Sequence, residues 1–152
     1  MDNSALIKEL AIFLREDQLL TSDEDLSVYA FDGTAMLHNR PACVVLPERG
    51  EEVAQILALC NEKAVPVVAR GSGTGLAGGA VPSEGGVVLC LVRLNKIIEL
   101  DAANLVMVCE PGVLTQKIAD EALAAGLLYP PDPGSIKIST IGGNVANNSG
   151  GL

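Results

Sequence analysis

The sequence predicts an α+β domain: a βαβ unit followed by a mixed sheet with flanking helices. Three observations carry this. Short β-rich apolar runs alternate with longer segments of helical period. The first two runs are separated by an amphipathic helix, which favours parallel pairing. Two later runs are separated only by turn-forming residues, as in a hairpin. The chain has 152 residues, 49% of them hydrophobic. A domain of this size buries roughly 70% of its extended-chain surface, enough for one core but not for two full domains.

Taken in order, Leu6, Ile7, Leu10, Phe13 and Leu14 recur at helical spacing behind Asn3 or Ser4 as N-cap, which predicts an opening amphipathic helix. Ser22 with Asp25 resembles a capping box for a second short helix that Asp32-Gly33 would close. Residues 1–40 thus form an N-terminal helical segment, and from Pro41 the texture changes. Cys43 to Leu46 reads as a strand stopped by Pro47, and Glu51 to Lys63 places Val53, Ile56, Leu57 and Cys60 on one helical face. Val65 to Ala69 is the next strand and closes the βαβ unit. Val87 to Leu94, Lys96 to Leu100 and Leu105 to Glu110 are strand-like, the last two as a hairpin across Asp101 to Asn104. Val113 to Ala125 reads as a helix ended by Gly126. Tyr129 to Leu152, rich in Pro, Gly, Asn and Ser, has almost no period and reads as loop, which at this length implies function.

Composition excludes several functions. Ten basic against nineteen acidic side chains give a net charge of −9, and aromatic residues are 3% of the chain, so nucleic acid is not an expected partner. The apolar runs are far shorter than the roughly 20 residues a membrane helix needs. Neither half of a secretory signal is present at the N-terminus, so a cytoplasmic location is expected. Cys43, Cys60, Cys90 and Cys109 form no C-x-x-C pair and lie in apolar surroundings, as buried reduced thiols do. The single histidine, His38, lies in a polar stretch and reads as a surface residue, so no metal site is expected.

The sharpest local feature is Arg70-Gly71-Ser72-Gly73-Thr74-Gly75-Leu76-Ala77-Gly78-Gly79, directly after a strand. It contains G-x-G-x-x-G at Gly73, Gly75 and Gly78, but residues 80–86 hold Pro82 and no amphipathic period, so the helix that a dinucleotide fingerprint requires is not expected. A nest of consecutive backbone N–H groups suits a diphosphate without a helix behind it. Glycine permits positive φ and close approach, Ser72 and Thr74 add hydroxyl donors, and Arg70 adds one fixed positive charge. The alternative is a flexible surface loop. A second cluster runs through Pro130-Pro131-Asp132-Pro133-Gly134-Ser135 and Ser139-Thr140-Ile141-Gly142-Gly143-Asn144-Val145-Ala146-Asn147. Its prolines would fix one rim, and its small residues and the amides of Asn144 and Asn147 would let a flat ring approach. The alternative there is a disordered tail.

Together, Arg70 to Gly79, Pro130 to Ser135 and Thr140 to Gly151 resemble the FAD-linked oxidases of the vanillyl-alcohol oxidase type, nearest to the glycolate oxidase D subunit and the D-lactate and D-2-hydroxyglutarate dehydrogenases. The resemblance covers Pro41 to the end. It implies the N-terminal part of a PCMH/VAO-type FAD-binding domain over residues 41–152, with non-covalent FAD held between two α+β subdomains and a separate substrate cap. It implies that Arg70, Gly71, Ser72, Gly73, Thr74, Gly75, Leu76 and Gly78 hold the pyrophosphate. Pro131, Asp132, Pro133, Gly134, Ser135, Thr140, Ile141, Gly142, Gly143, Asn144 and Asn147 would line the flavin and its ribityl chain, with Gly112 allowing close approach. It also implies oxidation of a 2-hydroxy acid such as glycolate or D-lactate to the 2-oxo acid by hydride transfer to flavin N5. Companion oxidase subunits, and through them a place at the inner membrane, follow from the same resemblance.

Members of that family are much longer. The second half of the FAD-binding domain, the cap and the substrate-binding residues would lie beyond Leu152, as in a truncated gene product or a cloned fragment. No catalytic residue is assigned, because Arg40, Arg93 and His38 stand in none of the motifs. The chain alone is expected to bind FAD weakly or not at all and to be inactive, and self-association would cover surfaces left without their partner subdomain. Two other readings stay open: a flavin reductase of the cell-wall precursor type, and a non-catalytic interaction module that no longer binds flavin.

Overall fold

The computed structural model describes residues 3–34 and 36–151. Helix α1 (Ser4–Leu10) buries Leu6 and Leu10, and Leu14 continues the same stripe one turn beyond the helix end. A 3-10 turn at Glu16–Gln18 leads into the short strand β1 (Leu19–Leu20). Helix α2 (Asp23–Tyr29) is capped as expected, the Asp25 amide donating to Ser22 Oγ at 3.1 Å. It stops at Tyr29, short of Asp32 and Gly33, which serve elsewhere.

Strand β2 (Cys43–Val45), helix α3 (Gly50–Glu62) and strand β3 (Val67–Arg70) form the expected strand, helix, strand sequence. The pairing differs in one respect. The sheet runs β1-β2-β4-β3, with β4 (Val87–Cys90) parallel to both β2 and β3 and lying between them, and β1 antiparallel to β2. The strands of the βαβ unit are therefore parallel but not neighbours. Burial explains the insertion: all of β4 is buried, as a central parallel strand requires, whereas β3 is half-buried with Ala69 exposed and suits an edge. The β4 run also ends at Cys90 rather than Leu94, because residues 91–94 turn back.

Both faces of the sheet are covered. Cys43, Val45, Val87 and Leu89 pack with Leu6, Leu10, Leu14, Ile56 and Cys60 under α1 and α3. Val44, Leu46, Val88 and Cys90 pack with Leu26 of α2 on the other face. Each such aliphatic side chain contributes about 1.5–3 kcal/mol by leaving water. The segment before Pro41 thus supplies a strand to the sheet and side chains to both cores.

After β4 comes the expected hairpin, β5 (Ile97–Asp101) antiparallel to β6 (Val106–Cys109). Helix α4 (Thr115–Ala124) follows, and Gly126 takes the left-handed conformation beyond it at φ +75°. The hairpin and α4 enclose an apolar hollow of about 500 Å³ lined by Leu100, Cys109, Ile118, Tyr129 and Ile141, among others. One expectation is overturned. The C-terminal cluster is not all loop, since Ile141–Asn147 forms helix α5. Gly142-Gly143 costs about 2 kcal/mol of helix propensity relative to alanine. Packing outweighs that cost: the Gly142 amide donates to Pro111 O at 2.9 Å, and a Cβ at Gly142 would sit 2.7 Å from Pro111 Cβ, so only glycine lets the helix approach. Among the described residues no helix is long and apolar enough to cross a membrane.

The four cysteines are free; Cys43, Cys60 and Cys90 are buried and Cys109 is half-buried. Burial pushes the Cys43 thiol up to about 12. Partial burial raises the Cys109 thiol as well, so iodoacetamide at neutral pH is expected to alkylate Cys109 slowly but ahead of the other three, which react only on unfolding, as read by peptide mass spectrometry. Equal labelling of Cys43 and Cys109 in the native protein would contradict this packing.

Candidate cofactor-binding cavity

The two sequence clusters meet in space. Residues 71–77 leave the carboxyl end of β3, and residues 133–149 face them across a cavity of about 840 Å³. Ser72 Oγ donates to Ile138 O, and a Cβ at Gly71 would lie 2.2 Å from Thr140 Oγ1. The two walls are in direct contact, and any side chain at Gly71 would force them apart.

The loop that lines the cavity carries amides without partners. Among the described residues, the backbone N–H groups of residues 72–77 donate to nothing in the protein. Polar groups with no internal partner need water or a ligand, and a run of such amides makes a concave anion site. Gly73 (φ +73°) and Gly78 (φ +72°) supply the positive φ that this curvature needs. No helix follows the loop, as residues 80–86 predict.

Of the expected site residues, Gly71, Ser72, Gly73, Thr74, Gly75, Leu76, Pro133, Gly134, Ser135, Thr140, Gly143, Asn144 and Asn147 line the cavity. Others stand outside its lining. Arg70 is buried behind the loop: Nη1 donates to Phe31 O at 2.6 Å, and the guanidinium lies 5.3 Å from the Tyr29 ring centroid. Burial lowers its basicity, and it backs Gly73 instead of reaching into the cavity. Gly112 is packed against the backbone of residues 91–94, so its close approach is to the protein itself. The Asp132 amide donates to Gly150 O at 2.9 Å and ties down the C-terminal segment, with Pro131 beside it. Ile141 faces the apolar hollow, Gly142 faces Pro111, and the Gly78 amide donates to Thr34 Oγ1. Two expected donors are already engaged: the Ser72 hydroxyl with Ile138 O, and Asn144 Nδ2 with the buried Thr115 Oγ1.

Sequence reasoning missed Asp32, the only ionisable side chain among the described lining residues. Burial resists its ionisation, but hydrogen bonds from the Thr34 amide and hydroxyl and the Ala80 amide outweigh that and hold the carboxyl below its usual range. A lone Asp-Gly dipeptide, read as a helix terminator, carried no signal of this role.

The cavity fits a nucleotide diphosphate group on these observations: open amides, glycines where side chains would close the wall, and a volume within the range of ligand sites. The comparisons agree. Residues 41–152 match the family model for an FAD binding domain. The chain is 48% identical over 125 residues to the glycolate oxidase subunit GlcD of Bacillus subtilis, covering 82% of this chain and 27% of that protein. It is 39% identical to the Escherichia coli GlcD over 152 residues, all of this chain and 30% of the other. It is 44% identical to a D-lactate dehydrogenase of Anaerostipes hadrus over 136 residues, 89% of this chain and 28% of that one. The chain thus spans less than a third of the length of these relatives. Among solved structures, alkyldihydroxyacetonephosphate synthase superposes with a TM-score of 0.86 at 24% identity, over 97% of this chain and 32% of that one. A p-cresol methylhydroxylase with substrate bound superposes at 0.79, also at 24% identity, over 93% and 28%. These superpositions establish an α+β fold of the PCMH/VAO type. Over residues 41–152 the chain belongs to the FAD binding domain family.

Proposed function

We propose that the amides of residues 72–77 hold the diphosphate of non-covalently bound FAD, that residues 133–147 flank its flavin end, and that the whole protein oxidises a 2-hydroxy acid. The observation that carries the cofactor reading is the run of unpartnered amides in a loop lining a cavity whose other wall is the second cluster. Relatives named glycolate oxidase subunit and D-lactate dehydrogenase support the substrate class and, through the word subunit, companion chains. Bound FAD would supply a two-electron acceptor for the hydride leaving C2 of the hydroxy acid, giving a 2-oxo acid.

This chain's own contribution is binding and orientation. Backbone dipoles face the diphosphate without a cationic side chain in the lining, and the buried Arg70 guanidinium behind Gly73 reinforces them. Asn147, whose Nδ2 lies 3.4 Å from the Cβ position of Gly75, supplies an exposed donor where the two walls meet. Asp32 is not assigned as a base, because its oxygens accept from the Thr34 and Ala80 amides.

The test is an equilibrium titration followed by flavin fluorescence. The chain is expected to quench FAD only weakly, and the Gly73→Asp/Gly75→Asp double variant to lose that quenching, since it places two carboxylates among the donors. Glycolate and D-lactate are expected to stay unoxidised by this chain alone. Equal FAD affinity in the double variant would reject the loop as the diphosphate site, and turnover by the 152-residue chain would reject the division of labour.

A further inference from the structure

The glycine loop is held in place by a segment that the family model does not include. Among the described residues, every hydrogen bond from residues 73–80 to a distant part of the chain ends on Asp32, Gly33 or Thr34. The Gly33 amide donates to Gly75 O at 2.9 Å, the Gly78 amide to Thr34 Oγ1 at 3.0 Å, and the Ala80 amide to Asp32 Oδ2 at 3.5 Å. Within the segment, the Thr34 amide donates to Asp32 Oδ1 at 2.8 Å, so the carboxylate joins segment and loop. Contact is close as well. A Cβ on Gly33 would lie 2.7 Å from Gly75 O and 2.8 Å from Leu76 Cδ2. The segment is itself anchored, since Arg70, at the root of the loop, donates to Phe31 O at 2.6 Å.

We propose that Asp32, Gly33 and Thr34 are positioning residues for the cofactor loop, holding it in the shape in which its free amides face one point. The proposal rests on the cofactor reading above. The physical need is plain. A loop this rich in glycine has many conformations to lose on binding. Neighbouring N–H dipoles left without acceptors also repel one another until an anion arrives. A loop that is competent only part of the time binds with an affinity reduced by that fraction. Thr34 Oγ1 and Asp32 Oδ2 take the amides of Gly78 and Ala80, which lie beyond the open run, and Gly33 fixes the carbonyl of Gly75 within it. Residues 72–77 are thereby left as the ones that turn toward the ligand.

The experiment uses the full chain labelled with ¹⁵N and compares wild type with Thr34→Val, which keeps the side-chain shape but removes the acceptor, and Thr34→Ser, which restores it. Amide exchange is measured without ligand, and FAD affinity by fluorescence titration. Thr34→Val is expected to speed exchange at Gly78 by about tenfold, to shift the resonances of residues 72–77, and to weaken FAD binding roughly three- to tenfold, while Thr34→Ser stays near wild type. Core amides of β2 and β4 report that the fold is intact. If Thr34→Val does not fold, Gly33→Ala gives the same readout, its methyl displacing Gly75 O. Wild-type exchange at Gly78 and unmoved loop resonances in a folded variant would overturn the proposal. A wild-type chain that takes up no FAD would count against the cofactor reading alone, and the exchange data would still decide whether this segment holds the loop.

Discussion

Gly112→Ala is expected to lower the unfolding free energy by about 3 kcal/mol, near the upper end of what overpacking costs. A Cβ at this position would lie 2.3 Å from Leu91 O, 2.6 Å from Leu94 O and 3.0 Å from Val92 C, all main-chain atoms that cannot rotate aside. Relief requires moving the turn at residues 91–94, whose Leu94 carbonyl accepts from the Gly112 amide at 2.7 Å and whose Leu91 amide donates to Arg70 O at 2.8 Å. The displacement therefore reaches β4 and the root of the glycine loop. Gly126→Ala is the matched control: its φ is +75° but nothing lies within 4 Å of the added methyl. Only the left-handed strain of about 1 kcal/mol applies there. Urea unfolding of both variants separates the two causes. Gly112 itself lies outside the left-handed region, so a loss at 112 no larger than at 126 would mean that residues 91–94 yield to the added methyl.

Glu52→Ala is expected to cost about 3 kcal/mol by leaving buried donors without an acceptor. The Glu52 side chain is buried and accepts from Gln18 Nε2 at 2.9 Å, the Glu48 amide at 2.8 Å, and Arg49 Nε and Nη2 at 3.0 and 2.8 Å. Arg49 is exposed and can return to water, so its pairing adds little. Gln18 is buried, its Oε1 accepts from the Arg15 amide at 3.1 Å, and its Nε2 has only one other acceptor, Leu46 O at a long 3.4 Å. Burial works against ionisation of Glu52, but these hydrogen bonds prevail and hold its carboxyl below the usual range. A carboxyl depressed by folding stabilises the protein above the unfolded value of about 4.3, and that contribution is lost as pH falls through the lower folded value. The stability difference between wild type and Glu52→Gln should therefore be constant near neutrality and shrink below about pH 4.3. A difference independent of pH in urea unfolding would show that the charge of Glu52 contributes nothing.

The readable parts of this protein were those whose physics is local. Apolar runs bounded by Pro or Gly marked β2 and β4, the turn residues Asp101 to Asn104 marked the hairpin, amphipathic spacing marked α1, α3 and α4, and Ser22 marked the start of α2. The clustering of glycine with Ser and Thr after β3, and of Pro, Gly and Asn later, identified both walls of the cavity, because open amides and close approach demand small residues wherever they occur.

Tertiary structure decided what depends on distant neighbours. Helix α5 exists against its own propensity because Gly142 packs on Pro111 and Asn144 bonds to Thr115. Strand order followed from which strand could bury both faces, a comparison between segments that no single segment contains. Arg70 and Gly112 looked like ligand contacts from their motifs, yet one backs the loop and the other packs on backbone, since a motif fixes residue type but not the direction a side chain faces. Asp32, Gly33 and Thr34 meet the loop more than forty residues away. Local composition marked which segments line the cavity, whereas folding, by burying β4 and drawing residues 31–34 against the loop, set which of their amides are left without a partner.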